Sequence, residues 1–469
     1  MTSKTSSFSL TRSIGLLLAI VAFCIPWFFE FEGLSEPGHR VFAIFLMAIV
    51  LWVTEAIPLH ATAALIIFLN ILLISSRAFL PLPEDFKAPT HTSIFAALAN
   101  PVLMLFLGGF FLADGAAKFK LDKNLARVLL KPFGTKPANI ILGLMVITAC
   151  FSMFMSNTAT TATMMAVILP VIARLPAGDR GRIALVLCIP IAANVGGMGT
   201  PVGTPPNAIA LGALNKAGYS ISFIQWMAMI IPFMVVVMLA AWFFLTRIFR
   251  TGVDKITIEI DSSFDQSPRA KLFYVVAAAT ILLWFSEPLH GIDSSIVGFL
   301  PVVVMLAARL VSDKEFHSMQ WSVLWLVAGG IALGSAVGAT GLDHWMIGQI
   351  DWKGMSPSVI AGALCIAALV LSTIISNSAT ANLIIPIGMS LTMSPEIAIS
   401  PIGSAIFIAI GASLAMALPI STPPNAIAYA TGAVQTKHMA IMGILIGIIG
   451  VAVFVLVAPL AWSALGLMP

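Results

Sequence analysis

The sequence predicts an all-α polytopic membrane protein of about eleven transmembrane helices and two re-entrant hairpins, arranged as an inverted repeat. Three observations carry this expectation: an apolar composition, apolar runs of bilayer length all along the chain, and two unusual motifs that each occur twice. Of 469 residues, 59% are hydrophobic and only 9% charged, where a soluble domain carries about 25% charged residues. With a mean hydropathy of +1.03, the chain cannot cover a water-facing surface. That excludes a cytosolic enzyme, a nucleic-acid binder and a disordered regulator. The net charge of +4 arises in loops flanking apolar runs and indicates no nucleic-acid partner.

A helix needs about 20 mostly apolar residues to cross the hydrocarbon core. Spans of that kind run over 13–30, 40–55, 60–76, 98–117, 184–214, 221–248, 270–287, 294–311, 321–341, 402–434 and 438–465. The first follows a basic, Ser-rich leader without a small-residue cleavage site and reads as a retained helix. Two further stretches, 138–173 and 357–393, are interrupted by Ser-Asn motifs and read as hairpins that enter and leave by one face. With the N-terminus in the cytoplasm and the C-terminus outside the inner (plasma) membrane, 19 of the 24 Lys and Arg residues, from Lys4 to Lys437, fall in cytoplasmic loops. Only Arg40, Arg77, Lys87, Lys216 and Lys353 fall outside. Basic residues are retained on the cytoplasmic side, and counting either hairpin as a full crossing would reverse every later loop. Cys24, Cys150, Cys188 and Cys365 all lie in apolar stretches without metal or redox spacing, which predicts buried small hydrophobes.

The chain is a duplication. Thr204-Pro-Pro-Asn-Ala-Ile-Ala210 returns as Thr422 to Ala428, and Ser156-Asn157-Thr158-Ala159-Thr160 as Ser376-Asn377-Ser378-Ala379-Thr380. Gly108-Gly109 and Leu121-Asp122 correspond to Gly329-Gly330 and Leu342-Asp343. Five crossings separate the two hairpins, an odd number, so the first opens to the cytoplasm and the second to the outside. Inverted repeats with paired broken helices point to a secondary transporter with its site at the midplane. No Walker-type phosphate loop is present, which argues against ATP as the energy source.

Residues 194–207, Asn-Val-Gly-Gly-Met-Gly-Thr-Pro-Val-Gly-Thr-Pro-Pro-Asn, cannot continue a helix, because proline lacks the amide donor and clashes with the preceding turn. In lipid such a break is tolerated only against protein or a water-filled cavity. Unwound carbonyls suit a hard cation such as sodium, and half-helix N-termini suit an anion. The companion break lies at 419–425. The hairpin tips offer hydroxyls and amides at Ser152, Ser156, Asn157 and Thr158, then at Ser372, Ser376, Asn377 and Ser378. These are also good helix caps, and a capped helix start binds anions too. No Asp, Glu, Lys, Arg or His lies in 138–173, 183–215, 357–395 or 397–436. The site is therefore expected to hold constant charge between about pH 5.5 and 8. Its positive potential must come from helix dipoles and co-bound cations. The seven histidines fall at loops or span ends and form no catalytic or metal-binding set.

These paired tips and loops, with Thr54-Glu-Ala-Ile-Pro58, resemble the divalent anion/sodium symporter family, in particular bacterial INDY-type dicarboxylate transporters. The resemblance spans essentially the whole chain. It implies a homodimer in which a transport domain carries substrate past a fixed scaffold in elevator fashion. Residues 1–137 would be mostly scaffold, and 138–248 the first transport elements. A cytoplasmic linker (249–269), further scaffold helices (270–341) and the second transport elements (357–469) would follow. A first sodium site would use Ser152, Asn157 and the Gly203 backbone. A second would use Ser372, Ile375, Asn377 and Ser421, partly through carbonyls. Ser156, Asn157, Thr158, Ser376, Asn377, Ser378, Thr204, Thr422 and Pro423 would face the dicarboxylate. Ser378 departs from the family's Thr. The implied function is sodium-driven import of C4-dicarboxylates such as succinate, fumarate or malate. A sodium-independent exchanger, or a symporter for citrate or sulfate, would use the same fold. An anion channel and an intramembrane enzyme are the readings from other classes.

Overall fold

The computed structural model describes residues 10–258, 260, 262–349, 355–392 and 399–464. Lys4, Lys353 and the C-terminal residue of the topology argument lie outside the described residues. Helices α1 (Leu10–Phe28), α2 (Glu36–Thr54) and α3 (Leu59–Ile74) open the chain, followed by the short α4 (His91–Phe95) and by α5 (Pro101–Lys118) and α6 (Leu121–Leu130). The first interrupted stretch forms α7 (Pro137–Ser152) and α8 (Asn157–Arg174), and the first broken span forms α9 (Gly181–Gly197) and α10 (Pro205–Lys216). Then come α11 (Phe223–Ile248), α12 (Pro268–Phe285), the one-turn α13 (Glu287–His290), α14 (Ser294–Ala307), α15 (Asp313–Ser318), α16 (Trp321–Thr340) and α17 (Leu342–Gly348). The second repeat closes with the hairpin α18 (Pro357–Ile374) and α19 (Asn377–Leu391) and the broken span α20 (Pro401–Ser413) and α21 (Pro423–Ala430). Last are α22 (Thr436–Ala452), a π-turn (Val453–Val457) and α23 (Ala458–Ala464).

No strand occurs among the described residues. Among the described residues, seven helical segments are long and apolar enough to cross a membrane, and six shorter helices are also apolar. Both interrupted stretches are helix–tip–helix hairpins and both Thr-Pro-Pro-Asn spans are broken, as the sequence predicts. Cys150 differs from expectation: it is exposed, whereas Cys188 and Cys365 are buried. A helix that is apolar all round gives no sign in its sequence of which side faces lipid.

The repeated Gly-Gly pair shows how the repeats pack. A Cβ on Gly108 would lie 1.8 Å from the Gly298 carbonyl oxygen, and one on Gly329 2.4 Å from Ala63 Cβ. Helix α5 thus crosses α14, and α16 crosses α3, at backbone contact, which only small residues allow. The second glycine of each pair faces the other way. Gly109 looks at Val202 in the first break, and Gly330 at Asn382 of α19. Each pair therefore separates an outer helix from the broken or hairpin elements.

Two further features repeat. Lys120 and Gly341, at equivalent positions just before α6 and α17, both have left-handed φ (54° and 70°). Asp122 and Asp343, two residues on, are buried and accept hydroxyls from hairpin helices, Thr163 at 3.1 Å and Ser390 at 2.8 Å. The broken helices also cross between halves: α10 packs on α19 and α20, while α21 packs on α8 and α9.

Candidate functional site

The breaks are stable because an asparagine in each returns to satisfy the freed carbonyls. Asn207 Nδ2 reaches the oxygens of Gly197 (3.1 Å), Met198 (3.3 Å) and Thr200 (2.8 Å), and the Trp226 indole donates to Met198 O as well. Its equivalent, Asn425 Nδ2, donates to Met416 O (2.7 Å) and Leu418 O (2.9 Å). This explains why the motif ends in Asn: one amide nitrogen replaces bonds that the prolines cannot make.

At the hairpin tips, Ser156 and Ser376 are N-caps whose hydroxyls accept from Ala159 N and Ala379 N, both at 3.2 Å. Helices α8, α10, α19 and α21 all begin at one cavity of about 360 Å³, within the ~300–1,000 Å³ range of small-molecule sites. All nine residues assigned to the dicarboxylate from sequence line it. Four helix starts with partial positive charge therefore surround a space with no fixed cation in the wall, which suits a small anion.

Beneath each tip lies a nest of oxygen acceptors. Ser152, fully buried, has its hydroxyl within bonding reach of Asn157 Oδ1 and of Ala193 O at 2.8 Å. Ser372 repeats this with Asn377 Oδ1 and Ala412 O, both at 2.8 Å. A hydroxyl has one proton, so in the second nest one of its two acceptors faces only lone pairs. In the first nest the turned amide of Asn157 donates to Ala193 O and Gly203 O, both at 3.2 Å, and to the Ser152 hydroxyl. Rotating that amide so that its oxygen faces the same carbonyls would create the oxygen cluster that a hard cation takes. Asn157, Gly203, Asn377 and Ser421 also line the cavity, while Ser152, Ser372 and Ile375 lie behind it. The Ser421 hydroxyl donates to Thr373 O at 2.9 Å, and Ile375 is the extended C-cap of α18.

Some of the wall was not anticipated. The carbonyls of Ala193 and Ala412 carry no side-chain signal. His60, Gln320 and Ser322 come from the starts of α3 and α16. His60 corrects the expectation of a site without titratable groups: the hairpins and breaks have none, but an outer helix supplies an imidazole to the same cavity. No repeated motif includes His60, and only the packing of α3 opposite the hairpins brings it to the cavity. Glu287 is structural, its carboxylate accepting from Phe223 N at 3.1 Å.

Two copies of one motif, each a hairpin tip meeting a broken helix around a shared cavity, define a membrane transporter built on a duplicated unit. The chain belongs to the family described as the sodium:sulfate symporter transmembrane region, which matches residues 10–468. It is 31% identical to the sodium-dependent dicarboxylate transporter SdcS of Staphylococcus saprophyticus over 97% of this chain and 92% of that protein. It is 30% identical, with the same coverage, to SdcS of Staphylococcus aureus strain USA300. Among solved structures, the YdaH transporter of Alcanivorax borkumensis shares the fold at 13% identity, with a TM-score of 0.56 over 93% of this chain and all of that one. The family and these relatives are transporters, not enzymes.

Proposed function

We propose that the protein is a sodium-coupled importer of C4-dicarboxylates such as succinate, fumarate and malate. The observation that carries this is the pairing of two acceptor-rich nests with four helix N-termini around one cavity. The nests take sodium and the helix starts take the carboxylates, with Ser156, Asn157, Thr158, Ser376, Asn377 and Ser378 at the tips and Thr204, Thr422 and Pro423 at the breaks. Asn157 and Asn377 touch both ion and substrate, so binding of one prepares the site for the other. The names of the relatives support the same reading.

The substrate moves in elevator fashion. Residues 138–248 and 357–469 travel against outer helices drawn from 1–137 and 270–341, with 249–269 as the cytoplasmic linker and Lys120 and Gly341 as the joints. Eleven crossings with a cytoplasmic N-terminus place His60, Gln320 and Ser322 on the inner side, so the cavity opens inward. The protein works as a homodimer in the inner (plasma) membrane. Uptake into proteoliposomes under a sodium gradient, with succinate, citrate and sulfate as competitors, tests the proposal. Asn157→Ala and Asn377→Ala should each abolish uptake in a folded dimer. Sodium-independent uptake that requires internal counter-substrate would establish an exchanger instead.

A further inference from the structure

Of the buried side-chain oxygens without a partner among the described residues, that of Asn194 belongs to a residue that lines the cavity, and it lies in neither nest. Asn194, near the C-terminal end of α9, lines the cavity and is 1% exposed. Its amide orientation is set by a neighbour from the other repeat. Asn425 spends its nitrogen on Met416 O and Leu418 O and so presents its oxygen to Asn194. Asn194 must answer with nitrogen, which lies 3.4 Å from Asn425 Oδ1 and 3.2 Å from Thr422 Oγ1. Asn194 Oδ1 therefore points the other way, buried and without a hydrogen-bond partner among the described residues. A buried polar atom left so calls for a ligand.

The chemistry of that ligand follows by elimination. Carboxylates are acceptors and repel a carbonyl oxygen. The atom has almost no surface open to water, which disfavours a solvent molecule or a substrate hydroxyl. A dehydrated cation is smaller than water and takes oxygen ligands, and the C-terminal end of a helix favours positive charge. We propose that Asn194 Oδ1 marks a third sodium site, lying between the repeats. The Thr204 hydroxyl, which unlike that of Thr422 caps nothing, and a substrate carboxylate are the further oxygens available to it.

The second repeat has no counterpart. Ala193 and Ala412 are matched by the Ser152 and Ser372 hydroxyls they receive, which aligns Asn194 with Ser413. The Ser413 hydroxyl is used within its own helix, on Ala409 O at 2.9 Å. Duplication thus yields two paired ion sites, and Asn194 adds an unpaired one. The inference rests on the sodium-coupled reading, and the experiment separates the two.

The sodium-to-succinate flux ratio is measured in proteoliposomes with both solutes labelled, with and without an imposed inside-negative potential. Three sodium ions per dianion carry one net charge, so 100 mV should raise the accumulation ratio about fifty-fold in the wild type. Asn194→Ala should carry two sodium ions per succinate and show no response to potential. Asn194→Asp, which keeps an oxygen there, should retain the ratio of three, and it serves as the second variant if the alanine protein does not fold. A wild-type ratio of two, or a ratio of three in Asn194→Ala, overturns the site. So does a change in malate-versus-succinate preference at unchanged ratio, which would make Asn194 a contact for a substrate hydroxyl. Wild-type uptake without any sodium dependence would instead defeat the underlying function.

Discussion

Replacing Gly203 with alanine should uncouple the first sodium nest while leaving the fold in place. Its φ is not left-handed, so the backbone accepts alanine and the objection is spatial. The added Cβ would lie 2.4 Å from Gly197 O and 3.0 Å from its C and Cα. Every one of these atoms is backbone, so no side chain can rotate aside. To reach ordinary contact distance the two segments of the break must part by roughly 1 Å or more. A cation site tolerates about 0.2 Å in ligand distance, so the Gly203 carbonyl leaves the shell. Losses of this kind cost ~10–100-fold in metal affinity, or about 1.4–2.7 kcal/mol. The assay is initial succinate uptake against sodium concentration in proteoliposomes, with elution at the wild-type volume as the check on folding. Half-saturating sodium should rise at least tenfold, and the maximum rate should recover largely at high sodium. Gly178→Ala, where a Cβ meets nothing within 4 Å, is the control. A Gly203→Ala protein whose half-saturating sodium stays within twofold of the wild type would refute the placement of this carbonyl in the nest.

Two other expectations concern motion and the cavity wall. A Cβ on Gly109 lies 3.3 Å from Val202 Cβ, near the ~3.5–4.5 Å span of a disulfide. The double variant Gly109→Cys, Val202→Cys should therefore crosslink under oxidation and stop transport until reduced; full activity in the crosslinked protein contradicts the elevator. His60 lines the cavity from the outer helix α3, so His60→Ala should change the KM for succinate at least several-fold, and an unchanged KM would remove His60 from the site.

The fold was legible where sequence chemistry is forced. Three prolines and four glycines within 194–207 cannot be helix, and a second copy of that break with its own Ser-Asn tip marks in the sequence the residues that line the cavity. What remained hidden was of two kinds. Ala193 and Ala412 act through carbonyl oxygens, which every residue owns and no side chain advertises. His60 and Cys150 depended on which face of an apolar helix meets the cavity, the core or lipid, and an evenly apolar helix has no periodicity to read. Asn194 fell between these. Its side chain was visible inside the break, but only the orientation imposed by Asn425 shows that its oxygen has no partner.

The crossing of the broken helices also bears on how the protein is made. During synthesis α10 emerges long before α19 and α20 exist, so the first half must wait in the membrane with that face open to lipid or to a chaperone. Neither half can close by itself, because α21, which packs on α8 and α9, is among the last helices to leave the ribosome. The halves are therefore not two modules that fold and then dock. The gene could be split into two chains only if both were inserted together, and a truncated product ending near residue 250 would be a substrate for membrane proteases, not a half-transporter.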